Sequence, residues 1–139
     1  EAIKVNVSVL RLFRHHFELD LLVVQLLLFM DILVITPCTK GALVKFNISS
    51  NYFCAAGGKA LAEALSGNEI MTELNIASNY LGKKMWNEAA DMSGVVAISD
   101  AMPTMGALAT LDIRNNSIPS DQKANLRRIC KSKKTNLKL

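Results

Sequence analysis

At 139 residues the chain is of single-domain length, with half its residues apolar and a fifth charged. That balance suits a globular protein with a sizeable core and excludes an intrinsically disordered one. The formal net charge of +4 is modest and gathers at one end: after Ser120, seven basic residues (Lys123, Arg127, Arg128, Lys131, Lys133, Lys134, Lys138) stand against one acid, Asp121.

The first forty residues stand apart from the rest. An apolar run from Leu21 to Thr36, interrupted by Gln25 and Asp31 and closed by Pro37, follows Arg11, Arg14, His15 and His16. As a transmembrane or signal-anchor helix, the segment 19–36 is near the short end of the roughly 17–25 residues that a span needs. Its Asp31 costs about 2.5–3.5 kcal/mol on insertion scales. The run is too long for a cleavable signal peptide and lacks small residues at a cleavage site. The other reading is a buried helix that caps the open end of a repeat stack, as repeat arrays require. Both readings, membrane anchor and cap, stay open. Arg11 and Arg14 before the run are balanced by Lys40 and Lys45 after it, so charge sets no orientation. His15 and His16, adjacent on a helix, point about 100° apart and have no third ligand in reach, so they read as a polar flank.

From Leu43 onward one pattern returns three times. It reads Leu43-Val-Lys-Phe-Asn-Ile-Ser-Ser-Asn51-Tyr-Phe53, then Met71-Thr-Glu-Leu-Asn-Ile-Ala-Ser-Asn79-Tyr-Leu81, then Leu108-Ala-Thr-Leu-Asp-Ile-Arg-Asn-Asn116-Ser-Ile118. Each copy fits LxxLxLxxNxL. Strand alternation turns Phe46/Ile48, Leu74/Ile76 and Leu111/Ile113 inward. Asn51, Asn79 and Asn116 carry amides that both donate and accept, which a buried turn off a strand needs. They read as a structural ladder.

Between the copies, apolar residues recur at helical spacing. The first stripe holds Ala60, Leu61, Ala64 and Leu65, and the second Ala97, Ile98, Ala101 and Met102. Gly57-Gly58 reads as the repeat turn that opens the first helix, rather than as an anion site. Asn51 and Asn79 lie 28 residues apart, Asn79 and Asn116 37. Matching the stripes puts the nine additional residues between Gly82 and Ser93. Trp86, the single tryptophan, sits in that insert beside Met85 and near Met92, either as a contact point or as local core. A third helix is expected after Pro119, with Leu126, Ile129 and Cys130 inward. Leu137-Lys-Leu139 suffices for a stub of a further strand. The domain reading is 1–40, an apolar helical segment, and 41–139, three repeats with a basic C-terminal cap.

These residues resemble the leucine-rich repeat family, in the 28-residue class seen in ribonuclease inhibitor and the sensor halves of NOD-like receptors. The phrases Gly57-Gly-Lys-Ala-Leu-Ala-Glu-Ala-Leu65 and Met71-Thr-Glu-Leu-Asn-Ile-Ala-Ser-Asn79 carry the resemblance. The stretch Asp91–Gly106 is similar to irregular repeats in leucine-rich proteins of unicellular algae such as dinoflagellates. The resemblance covers residues 41–139. It implies an α/β fold, a short solenoid with parallel strands on a concave face and helices on a convex face, and protein binding by the concave side. Carried onto this chain, that side presents Lys45, Asn47 and Ser49, then Glu73, Asn75 and Ala77, then Thr110, Asp112 and Arg114.

No phosphate loop, HExxH, GxSxG or kinase signature occurs, and both histidines are N-terminal. Neither an enzyme nor a cofactor or metal is expected. Cys38, Cys54 and Cys130 are odd in number and have no CxxC spacing, which indicates neither a disulfide framework nor a zinc site, and Cys54 and Cys130, at or beside apolar pattern positions, read as small apolar residues. Free thiols fit a reducing, intracellular compartment. The chain begins at Glu1, which reads as a processed product or a fragment. The basic tail reads as a solvated capping helix, since it lacks the interleaved aromatics of a nucleic-acid site. Two functions are left in play. One is a non-catalytic scaffold that binds a protein; the other is a structural subunit of a membrane complex, anchored through residues 19–36.

Overall fold

The computed structural model describes residues 4–6 (backbone only), 44–51, 53–84 and 89–139. The segment 19–36, His15, His16, Cys38 and Trp86 lie outside the described residues.

The class is α/β. The described residues form, in order, β1 (Lys4–Asn6), β2 (Lys45–Asn47), α1 (Cys54–Leu65), β3 (Glu73–Asn75), α2 (Ser93–Ala101), β4 (Thr110–Asp112), α3 (Ser120–Lys133) and β5 (Asn136–Lys138). The strands form one parallel sheet in the order β1-β2-β3-β4-β5. Parallel neighbours cannot be joined by a tight hairpin, so each pair needs a long crossover. From β2 onward α1, α2 and α3 occupy the three crossovers.

Register carries the sequence pattern into space. Phe46 aligns with Leu74, Leu74 with Leu111, and Leu111 with Leu137. These central residues, and Ile48, Ile76 and Ile113 two positions on, face the helices. All six residues of β2–β4 and their following turns are buried, as alternation requires. Met71 and Leu108, at the head of their repeats, and Leu81 and Ile118, at the end, complete the same core.

α1 buries Leu61, Ala62 and Leu65. Of the two alanines expected to close the core, Ala64 packs against it while half-buried, Ala60 is half-buried, and Ala62 takes the fully buried position. Gly57 and Gly58 lie inside α1 rather than in a turn before it. Gly58 has a packing reason: a Cβ there would stand 3.0 Å from the Cα of Gly94 in α2. A Cβ on Gly94 would in turn stand 2.6 Å from the carbonyl oxygen of Ala55. The two helices meet through glycine, backbone against backbone.

α2 is shorter and runs into a 3-10 turn, Met102–Thr104, where Pro103 removes a donor. Thr104 joins this turn to the end of α1, its hydroxyl accepting from the N–H of Gly67 and donating to the Ala101 carbonyl. α3 buries Leu126 and Cys130, with Ile129 packed alongside. Pro119 precedes this helix as its cap, with its carbonyl accepting from Lys123. Asp121 in the first turn and Lys131 and Lys133 in the last match the helix dipole.

The insert is closed at its base. Asp91 N–H donates to the Gly82 carbonyl, Lys84 N–H to that of Ala89, and Lys83 and Ala90 form an antiparallel bridge. The nine additional residues therefore leave the register of β3 and β4 intact.

The residues of β1 were set apart from the repeats by their sequence, yet Lys4, Val5 and Asn6 align with Lys45, Phe46 and Asn47. Lys4-Val-Asn-Val-Ser8 and Lys45-Phe-Asn-Ile-Ser49 are the same pattern at a spacing of 41 residues. The missing landmark is the asparagine: Leu10 stands where Asn51, Asn79 and Asn116 stand in the later copies.

Candidate functional site: the open face of the sheet

Each turn after a strand is built around one asparagine. The Asn79 amide nitrogen donates to the carbonyls of Ile76 and Ala77 in its own turn and to Ile48 in the preceding one. Its Oδ1 accepts from the N–H of Asn51 at 2.7 Å. Asn116 repeats the arrangement one step on, donating to Ile113, Arg114 and Ile76 and accepting from the N–H of Asn79. Asn51 donates to Ile48 and Ser49. The chain bends so sharply that the residues beside each asparagine are left-handed: Ser50, Ser78 and Asn115 before it, Tyr80 and Ser117 after it, all with φ near +60°. Asn79 and Asn116 are fully buried and every polar atom of their amides is engaged. Their bonds hold the turns together.

This scaffold fixes the face of the sheet turned away from the helices. Its first row runs Lys4, Lys45, Glu73, Thr110, Asn136, and its second Asn6, Asn47, Asn75, Asp112, Lys138. In the first row Lys45 and Glu73 form an ion pair with both side chains about half exposed. Such a pair contributes about 0–1 kcal/mol.

In the second row the side-chain oxygens turn back onto their own strands. Oδ1 of Asn47 accepts from the N–H of Ser49, Oδ1 of Asn75 from that of Ala77, and Oδ1 of Asp112 from that of Arg114. The Ser49 hydroxyl also donates to Asn47. Side chains that sequence alone places toward a partner thus half belong to the strand ends. The amide nitrogens of Asn47 and Asn75 make no hydrogen bond with a described residue, which leaves a pair of parallel donors at the centre of the face.

Asp112 departs furthest from expectation. Placed outward by alternation, it is only 5% exposed. The Arg114 guanidinium covers it, with Nε donating to Oδ1 at 3.0 Å and an Nη donating to Oδ2 at 2.7 Å. These side-chain bonds hold the Asp112 carboxyl below the usual carboxylate range, against the opposing effect of burial. The same contact raises Arg114 above its ordinary value. On this face β4 therefore leaves the half-buried Thr110 and, just beyond it, the exposed Arg114 accessible, with Asp112 as the seat beneath.

Lys45, Asn47, Ser49, Glu73, Asn75, Thr110 and Arg114 are all exposed or half-buried on this one face. Ala77, between Ser49 and Arg114, is buried. The expected strand stub at Leu137–Leu139 is present as β5, and its register adds Asn136 and Lys138 to the face read from three strands. The signal for them was the alternation Asn136-Leu-Lys-Leu139. Among the described residues no group of histidine, cysteine and carboxylate side chains could hold a metal ion. Burial pushes the Cys130 thiol up, which keeps it protonated and poorly nucleophilic. No protein-family model matches the chain, and a search of curated proteins finds no similar one.

Proposed function

We propose that the chain is a non-catalytic interaction module of leucine-rich-repeat type, a short solenoid whose open sheet face serves as the concave surface that binds a protein. One observation carries the reading: register lines up Lys45, Glu73 and Thr110 in one row and Asn47, Asn75 and Asp112 in the next, with the Asn47 and Asn75 amide nitrogens bonded to no described residue. The three-copy motif and the inward burial of its apolar positions support the family resemblance. The face has no aromatic anchor among its described residues, so recognition rests on hydrogen bonds and charge, and the affinity expected of so small a patch is modest.

The test is affinity enrichment from cell extract on immobilised chain, Asn75→Arg and Ala124→Arg. A partner that uses this face stays on the original chain and on Ala124→Arg, and is lost on Asn75→Arg. Equal recovery on all three removes the open face from consideration.

A second reading is favoured by the run Leu21–Thr36, apolar nearly all round, which asks for burial on every side by lipid or by protein. In it the chain is a structural subunit of a membrane complex, at an organelle membrane for instance. Among the described residues no helix is long and apolar enough to cross a membrane, and 19–36 lie outside them. Carbonate extraction separates the readings: an anchored chain stays with membranes while a version starting at Thr39 is released.

A further inference from the structure

The two central asparagines of the open face have their amides oriented by their own strands. The atom of Asn47 that meets the Ser49 N–H, and the atom of Asn75 that meets the Ala77 N–H, must each be an acceptor. Each is therefore Oδ1, and the branch left over is the donor Nδ2. Parallel register sets these two amides on adjacent strands, about 4.8 Å apart. Asp112 continues the row with the same Oδ1 bond, to the N–H two residues on. Its second branch is an oxygen, an acceptor, and the Arg114 guanidinium lies on it. Two of the five N–H groups of that guanidinium are engaged by Asp112, and no described residue takes the others. Three successive positions of the row thus present N–H groups, the third because an arginine covers its carboxylate.

We propose that the open face receives an acidic protein surface, with one carboxylate accepting from the Asn47 and Asn75 amides and others meeting Arg114 and Lys138. The partner's chemistry rests on the open face being the surface that binds, as proposed above. Charge on the face selects this occupant. Its carboxylates on β2–β5 are Glu73 and Asp112, and each already has a cation, Lys45 and Arg114 respectively. A basic partner therefore finds no free acid there. Lys138, aligned with Asp112 and exposed, has no ion-pair partner among the described residues. A carboxylate, which only accepts, suits a row that only donates, and charge-assisted bonds of this kind are the stronger ones. An apolar partner fits less well: the exposed large apolar side chains among the described residues, Ile70 and Val96, lie outside the strands. A nucleic acid also offers acceptors, but neither row of β2–β5 contains an aromatic on which a base could stack.

The experiment is a nuclear magnetic resonance titration of the full chain, labelled with nitrogen-15, against end-blocked ten-residue peptides that alternate serine with glutamate, glutamine or lysine. The glutamate peptide is expected to move the side-chain amide signals of Asn47 and Asn75 and the Nε signal of Arg114, saturably. The glutamine peptide is expected to bind at least tenfold more weakly. Asn75→Asp keeps the oxygen that accepts from Ala77 and replaces the outer donor with a charged acceptor, and is expected to weaken the glutamate peptide at least tenfold with an unchanged backbone spectrum. No response, shifts confined to α3, equal or tighter binding of the glutamine or lysine peptide, or tighter binding of oligo(dT) overturns the proposal, and none of these arms needs a variant to fold. The two readings fail separately. A glutamine or lysine peptide that moves the Asn47 and Asn75 signals refutes the acidic partner and leaves the open face as a binding surface, whereas a natural partner recovered equally on Asn75→Arg refutes the face itself.

Discussion

The Oδ1 atom of Asn116 accepts the backbone N–H of Asn79 at 2.8 Å, across 37 residues of sequence. The bond joins two turns of the stack, and Asn79 makes the matching bond to Asn51. Removing one amide therefore damages two repeats at once. Asn79→Ala leaves the N–H of Asn51 and up to three carbonyls without their partner in a buried setting, and should cost about 2–4 kcal/mol. Asn51 is half-buried, and among the described residues its amide nitrogen bonds only within its own turn, so Asn51→Ala should cost clearly less. Urea denaturation of both variants checks the order.

Leu74→Ala empties a fully buried site at the middle of β3 and should cost about 2–5 kcal/mol. Lys45→Ala, one strand over on the opposite face, removes a half-exposed ion pair and should change stability by less than about 1 kcal/mol. Comparable losses in chemical denaturation would falsify the inward and outward register.

Glycine-to-alanine changes in helices usually stabilise by up to about 1 kcal/mol. Gly94→Ala should do the opposite, by about 1–3 kcal/mol, because the new methyl meets the Ala55 backbone, which cannot swing aside. The melting temperature reads the sign directly.

Asp112 links stability to acid. Its folded carboxyl titrates below the ordinary range through the Arg114 side-chain bonds, so the contribution is present in full above about pH 4 and is lost as pH falls through the folded value. Because Arg114 is about half exposed, solvent screening keeps the effect small. Asp112→Asn should flatten the acid limb of a stability-against-pH curve while leaving its neutral limb parallel to that of the unaltered chain. An unchanged acid limb would remove Asp112 from the acid response.

Much of this architecture was legible because one rule covers three copies. Period-two alternation placed Phe46, Leu74 and Leu111 correctly, and equal spacing from Leu65 to Met71 and from Met102 to Leu108 located the insert. Three things were harder to read. Alternation says which way Asp112 leaves the strand, but not that Arg114, two residues on, folds back over it. A helical stripe of small residues leaves its centre undefined, so the spacing alone does not show that Ala62 is buried more deeply than Ala60 and Ala64. The strand at Lys4–Asn6 is hard to see in the sequence because its copy of the pattern has Leu10 in place of the asparagine. The asparagine secures a turn and the alternation secures a strand, and the two can be lost separately.

The closed base of the insert bears on how such a chain can vary. Gly82 is held by its N–H to the Asn116 carbonyl and by its own carbonyl to Asp91, so what lies beyond is tied off like a loop of cord at a knot. Lengthening a tied loop is cheap, about 0.6 kcal/mol for each doubling. Foreign sequence placed between Lys84 and Ala89 accordingly leaves this base in place, so an epitope or a sensor peptide can be grafted there.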